Sequence, residues 1–408
     1  MKSAVKRLIR DEKGRAMVLA LILLVVGGLI ITSLLAYMST GLIAGEFYER
    51  STAELYAADA GVEEALWQLK QRDPDPDKVP TTPEQVLPPY PLGSPVNNKT
   101  IEVIIDMISG TTGGGIYKVT STATSAGGSN TTSNTTIESY VQTFPLFWDH
   151  AITSTGDITL QPNSEVYGDV MGDVSGSGTV YGDINDPYDS DKWPFTEDFR
   201  AFFWPQVGNG TIPLPYEPCP KDTLDVSVNS TFGPGFHEGN LYIENNGGVD
   251  LITATLTGTV YIKGDDATLY LGAGGNKDFY LDLNYQTIYV EGCDYDLSNP
   301  QYALTIGGKV HIKGSGVIIA EGNIYAQPNM EAATEDDFVF VMSLFGKVLL
   351  QPNGTLYGTV AAQEVYLGPG NILSHTDAPT DPVTGEQVLS FPMDAVESAV
   401  KILTWDIS

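Results

Sequence analysis

Arginine is nearly missing from this chain: after Arg72 the only one is Arg200, and 21 basic residues face 51 acidic ones for a formal net charge of −30. A protein that replaces counterions on a phosphate backbone needs a basic face, so DNA and RNA are excluded as partners. Such an acidic body is also repelled by anionic lipid surfaces. The sequence holds no G-x-S-x-G, no GxxxxGK, no HExxH and no CxxC, so the common nucleophile, phosphate and zinc sites have no foothold. Its four histidines, at 150, 237, 311 and 375, are dispersed, and His237-Glu238 lacks the second histidine zinc would need. The expectation is a chain that is not an enzyme and carries no cofactor. Cysteine is limited to Cys219 and Cys293. Paired, they would close a loop of about 75 residues, worth about 4 kcal/mol; two separate buried thiols is the other reading, since spacing does not show that they meet. Proline is absent before Pro74, so nothing interrupts a helix over the first seventy residues.

Against those absences stands one long apolar run. Ala16–Gly45 contains no charged residue. About 20 apolar helical residues cross a bilayer, so this run spans with tilt or projects beyond it. It is too long for a cleaved secretory signal, whose apolar core is about 7–15 residues. Lys2, Lys6, Arg7, Arg10, Lys13 and Arg15 precede the run, and Glu46 and Glu49 follow it. Positive charge stays inside, which puts the N-terminus in the cytoplasm and residues after Gly45 outside. Beyond the run, Leu55, Val62, Leu66 and Leu69 keep helical phase. One helix of about 55 residues, roughly 80 Å long, is expected, greasy all round in its first half and amphipathic in its second.

A basic leader ending at Lys13-Gly14, the Ala16–Gly45 run and the box Ala57-Ala58-Asp59-Ala60-Gly61-Val62-Glu63-Glu64-Ala65-Leu66 together resemble the N-terminal segment of type IV pilin-like proteins, closest to the PilX-type minor pilins. The resemblance covers about 60 residues. It implies cleavage by a prepilin peptidase after Gly14, leaving Arg15 first, and packing among other pilin-like subunits through the helix. Gly27, Gly28, Ala36, Ala58, Asp59 and Gly61 are its assembly positions. Asp59 stands where the box has glutamate, and Leu19 where major pilins carry glutamate; the latter implies a minor or accessory subunit.

Asp73-Pro74-Asp75-Pro76-Asp77 opens a proline-rich segment over 73–96 that reads as a stiff, extended spacer. From 97 to 145 the period is two: Ile101-Glu102-Val103-Ile104-Ile105, Ile116-Tyr117-Lys118-Val119-Thr120 and Ile137-Glu138-Ser139-Tyr140-Val141 predict a small antiparallel sheet packed on the helix. Residues 146–375 repeat themselves. Gly156-Asp157-Ile158-Thr159-Leu160-Gln161-Pro162-Asn163 is echoed by Gly346-Lys347-Val348-Leu349-Leu350-Gln351-Pro352-Asn353, and Gly258–Gly264 by Gly308–Gly314. Short strands starting near Val260, Leu269, Tyr280, Ile288, Leu304, Val310, Val317 and Ile324, with glycine corners, predict a β-solenoid, with a β-sandwich as the alternative. The pattern is similar to bactofilin-like β-helical repeats. The fold class expected is α+β, mainly β: leader 1–14, long helix 15–72, spacer, small sheet, solenoid, and a C-terminal cap over 376–408 in which Met393, Val396, Val400 and Leu403 predict a helix.

The rungs are interrupted at 185–240, where Trp193, Phe195, Phe199, Phe202, Phe203 and Trp204 crowd together. Trp193, Phe203 and Trp204 are candidates for stacking on sugar rings; a lid over an open edge is the competing reading. Asp157, Asp169, Asp173 and Asp183 sit at Gly-Asp turns, where aspartate serves the backbone, and a calcium ladder is the one metal site they leave open. The function expected is a minor-pilin-like subunit displaying an acidic solenoid outside the cell for pilus assembly or adhesion. The alternative is a single-pass surface protein whose solenoid binds glycans or self-associates.

Overall fold

The computed structural model describes residues 12–71, 74–111, 114–125, 133–194, 196–208, 211–212, 222–225, 230–245, 252–272, 277–292, 302–330, 333–381, 388–392 and 398–407. The chain is mainly β with one long N-terminal helix, α1, over Glu12–Lys70. At 1.5 Å per residue its 59 residues extend about 88 Å. Its two halves live in different surroundings. From Met17 to Tyr48 the large apolar side chains are uncovered, Leu24 at 76% and Leu42 at 74% exposed. From Ala57 onward Ala57, Ala58, Val62, Ala65, Leu66 and Leu69 form one buried stripe.

That stripe lies on a five-stranded antiparallel sheet ordered Tyr90–Pro91, Lys99–Thr111, Gly114–Ser125, Asn134–Pro145, Ser398–Ile407. Alternate residues face α1: Ile101, Val103 and Ile105, then Tyr117, Val119 and Ala123, then Ile137 and Val141, all buried. Gly61 sets the approach. A Cβ there would overlap the Ser121 hydroxyl and crowd Ile101 Cγ2 at 2.8 Å, so only glycine lets helix and sheet meet.

Two expectations are corrected here. The proline-rich segment is not a free spacer: Val79 and Tyr90 are buried in the helix–sheet core, and Tyr90 pairs with Val103. Prolines that cannot extend a ladder still suit its edge. The C-terminal segment is not a capping helix across Val400 and Leu403. Ser398–Ile407 is a strand, paired with Asn134–Pro145 from Ser398↔Pro145 to Ile407↔Ile137. Ladder hydrogen bonds to an available edge override a helical spacing of only a few residues. Met393 and Val396 lie outside the described residues.

Residues 146–397 are therefore an insertion between two strands that are neighbours in the sheet. Inside it, strands pair in parallel with strands two or three places along the chain. One column of inward residues reads Val260, Ile288, Ile318, Val341, Val360, Ile152, Val170, Ile184. A second reads Leu241, Leu269, Leu304, Ile324, Val348, Val365, Ile158, Val174. A third face contributes Phe279 with Val310, Leu281 with Ile312, and Leu356 with Leu373 and Val166. Nearly all of these side chains, Val174 and Ile184 at the far end being less covered, share one apolar core. No single short strand could bury its own aliphatic face, so parallel stacking of many strands is what removes it from water. The stack is not in chain order. The strands at 152–185 extend it at the end where the later strands, up to Ile372–Ser374, arrive.

Gly61→Ala should destabilise the helix–sheet unit by about 1–3 kcal/mol through overpacking. Denaturant melts of the full chain in detergent, followed by near-UV dichroism of Tyr90 and Tyr117, would measure it.

Candidate assembly surface

The uncovered half of α1 holds most of the exposed large hydrophobic side chains among the described residues. It is long and apolar enough to cross a membrane, and none of its most apolar stretch is buried. Gly28 and Ala36 are exposed and Gly27 is half-buried, and a Cβ at Gly27 or Gly28 would touch nothing within 4 Å. Thr32, Ser33 and Thr40 return their hydroxyls to the carbonyls of Gly28, Leu29 and Ala36 at 2.7, 2.9 and 2.9 Å, which satisfies these three donors within the helix. Gly14 and Arg15 fall in the first turn of α1. Ala58 and Gly61, expected at a subunit contact, are used inside this chain under its own sheet, with Asp59 half-buried beside them.

Where α1 leaves the apolar run, a buried charge ties it down. Glu54, 4% exposed, accepts from Lys99 Nζ at 3.3 Å, from Arg50 Nε at 3.3 Å, and from the hydroxyls of Ser133 and Thr135. Lys99 also donates to Ser125 Oγ at 3.1 Å. Burial pushes the Glu54 carboxyl up, but the bonds from Ser133, Lys99 and Arg50 outweigh it and hold the group below the usual carboxylate range. Lys99, Ser125, Ser133 and Thr135 mark one end of the sheet, so that end faces the apolar half of α1. Pro145 and Ser398 are at the other, which carries the inserted head.

The aromatic interruption folds as helix α2, Thr196–Val207, over the outer side of the first ladder. Phe199, Phe203 and Val207 are buried against Tyr261, Tyr289, Phe338 and Phe340. A bidentate pair pins it: Arg200 Nε and Nη2 reach the two Glu321 oxygens at 2.5 and 2.6 Å. Tyr289 donates to Glu321 at 2.8 Å and Tyr261 to Glu291 at 2.5 Å. Burial drives Glu321 above the ordinary carboxylate range, against the pull of Arg200 and Tyr289. The Glu321 bond raises the Arg200 guanidinium in turn. Burial, with Glu291 beside it, keeps the Tyr261 hydroxyl far above the usual tyrosine range.

Placement of the sugar-stacking candidates follows from this lid. Trp193 is buried, its indole N–H donating to the Leu344 carbonyl at 2.6 Å, and Phe203 is fully buried. Neither face is open to a ligand. Trp204 is 37% exposed but is enclosed by Phe236 and Tyr261, with Lys263 Nζ 5.0 Å from its ring centroid. The lid covers a sheet face rather than an edge. Cys219, Cys293 and Phe195 lie outside the described residues. Asp157 and Asp173 are ladder neighbours, and Asp169 accepts from the Asp183 backbone N–H at 2.9 Å. Among the described residues no three or more of His, Cys, Asp and Glu are grouped to hold a metal ion. The Glu54–Lys99 and Arg200–Glu321 pairs join residues far apart in the chain, and no local pattern signals them.

No protein family model matches the chain, and no curated protein matches it by sequence. A solved structure to which it is similar is the crystal structure of the competence-associated pilin ComZ from Thermus thermophilus, at 10% identity, with 88% of this chain and 97% of that chain covered and a TM-score of 0.25. An overlay that loose fixes no common architecture.

Two outcomes are expected. Glu54→Gln should cost about 3 kcal/mol at neutral pH, because it strands the Lys99 ammonium in the core. Glu54 has a lowered folded pKa, so its contribution is present above the unfolded carboxylate value and is lost as pH falls through the folded one. The difference between variant and parent should therefore vanish in acid, as chemical denaturation across pH would report. Arg200→Leu alone should raise amide exchange throughout α2, whereas Arg200→Leu with Glu321→Leu should raise it less, since the Glu321 carboxylate is no longer buried without its cation.

Proposed function

We propose that this chain is a non-enzymatic, minor-pilin-like subunit of PilX type, rooted in the cytoplasmic membrane with its N-terminus inside. It works without a cofactor, and displays an acidic head outside the cell for pilus assembly or adhesion. The observation that carries the reading is the division of one unbroken helix into an uncovered apolar half and a half sealed under its own sheet. A helix spent entirely on its own fold would not leave about thirty apolar residues bare, and a bare membrane anchor would not continue rigidly into a packed domain. The exposed half serves first as a membrane span and then as the contact with other pilin-like subunits, at Gly27, Gly28 and Ala36. Prepilin peptidase would release it between Gly14 and Arg15.

The head fits a bactofilin-like β-solenoid, its parallel columns being successive coils. Its width suits a tip or accessory position better than every site along a thin filament. The acidic surface keeps such a head soluble and clear of anionic lipid.

N-terminal sequencing of the native protein should begin at Arg15, and Gly14→Val should abolish both processing and recovery in sheared filaments. A native chain that begins at Met1 and stays wholly in membranes would instead support a static surface protein that binds glycans or self-associates.

A further inference from the structure

The Ser398–Ile407 strand is the outer edge of the five-stranded sheet, and among the described residues no strand pairs with its far side. The opposite edge is closed by the proline-rich segment through Tyr90–Pro91. On the open edge Ile402 is 47% exposed, Leu403 43%, Trp405 40% and Ile407 52%. Val400, Ile402, Trp405 and Ile407 pair with Thr143, Val141, Ser139 and Ile137, whose side chains are buried on the α1 side of the sheet. These four therefore point to the α1 side, and Lys401, Thr404 and Asp406 point away from it. A bulge at Leu403, between Ile402 and Thr404, makes this arrangement possible.

We propose that this edge pairs antiparallel with the same edge of a second copy, about a two-fold axis between Leu403 and Thr404. In that register Val400 meets Ile407 of the second copy, Ile402 meets Trp405, Leu403 meets Thr404, and Lys401 meets Asp406. Residues directly opposite in an antiparallel pair share a side of the sheet, and Val400–Ile407, Ile402–Trp405 and Lys401–Asp406 satisfy that, with the bulge at the axis. Every apolar residue of the α1 side meets another, and each copy supplies one end of two equivalent Lys–Asp contacts. A bulge and a pair of charges also blunt an edge against chance pairing. Blunting does not require the two charges to fall opposite one another or the apolar residues to match across the dyad. Lys401 already reaches Asp377 at 3.1 Å. Both groups are more than half exposed, and an ammonium has three N–H donors, so the contact can be shared.

A two-fold axis normal to the sheet reverses α1. Copies rooted side by side in one bilayer do not meet this way; the pair joins copies held on separate supports. Where the copies meet rests on the display proposed above, whereas the pairing itself does not.

Sedimentation of the full-length chain in detergent, over a range of concentrations, tests it. Lys401→Asp and Asp406→Lys each set like charges against one another twice and should weaken the dimer about ten-fold. The double variant Lys401→Asp/Asp406→Lys restores both contacts but not the one to Asp377, and should return to within about two-fold of the parent. A parent chain that stays monomeric up to its solubility limit overturns the proposal. So does a dimer indifferent to the single swaps, or a double variant no better than they are. Gly14→Val should leave all these results unchanged, which separates this outcome from that of the pilin reading.

Discussion

Everything beyond the apolar half of α1 hangs on how closely that helix can approach its sheet. Four small residues, Ala57, Ala58, Gly61 and Ala65, let the backbones come together, and at Gly61 there is no room for even a methyl group. Small residues alone would make a slippery contact. Glu54 fixes the position along the strands, because its carboxylate is satisfied only where Lys99, Ser133 and Thr135 converge. Apolar area supplies most of the attraction, and the buried charge supplies registry.

The same division of labour recurs in the head. Columns of Val, Ile and Leu stack into one apolar core, and aliphatic faces so alike do not by themselves fix what packs over which strand. Specific position comes from polar groups again. Arg200 finds its bidentate partner only over Glu321, and Glu291 is held by Tyr261 and by the Gly264 N–H at 2.7 Å. These contacts place α2 over one stretch of the ladder and bury aromatic rings that would otherwise be a large exposed patch.

Much of the local structure is legible in the residues themselves. Strands expected near Val260, Leu269, Tyr280, Ile288, Leu304, Val310, Val317 and Ile324 begin at Val260, Leu269, Phe279, Thr287, Leu304, Val310, Gly316 and Ile324. Glycine corners and β-branched runs are local signals, so they survive without tertiary knowledge. The unbroken α1 is legible for the same reason. What misleads is the ends. Val400 and Leu403 suit a helix as an isolated spacing, and only the free edge of Asn134–Pro145 makes them a strand. The prolines at 74–95 argue for a spacer, yet Tyr90 and Val79 among them are drawn into the core. Of the candidate surface, the apolar run is evident from its composition. Glu54 with Lys99 and Arg200 with Glu321 are separated by 45 and 121 residues, and no spacing rule links them.

The placement of the head between adjacent strands has a bearing on biogenesis. Among the described residues Ser398–Ile407 follows every other strand in the chain, so the five-stranded sheet remains one strand short until the insertion has been synthesised. Until then the backbone of Asn134–Pro145 is open on one side, a ready target for proteases and chaperones. Completion of the base therefore waits on synthesis of the whole 146–397 insertion, which ties the last step of one folding unit to the making of the other.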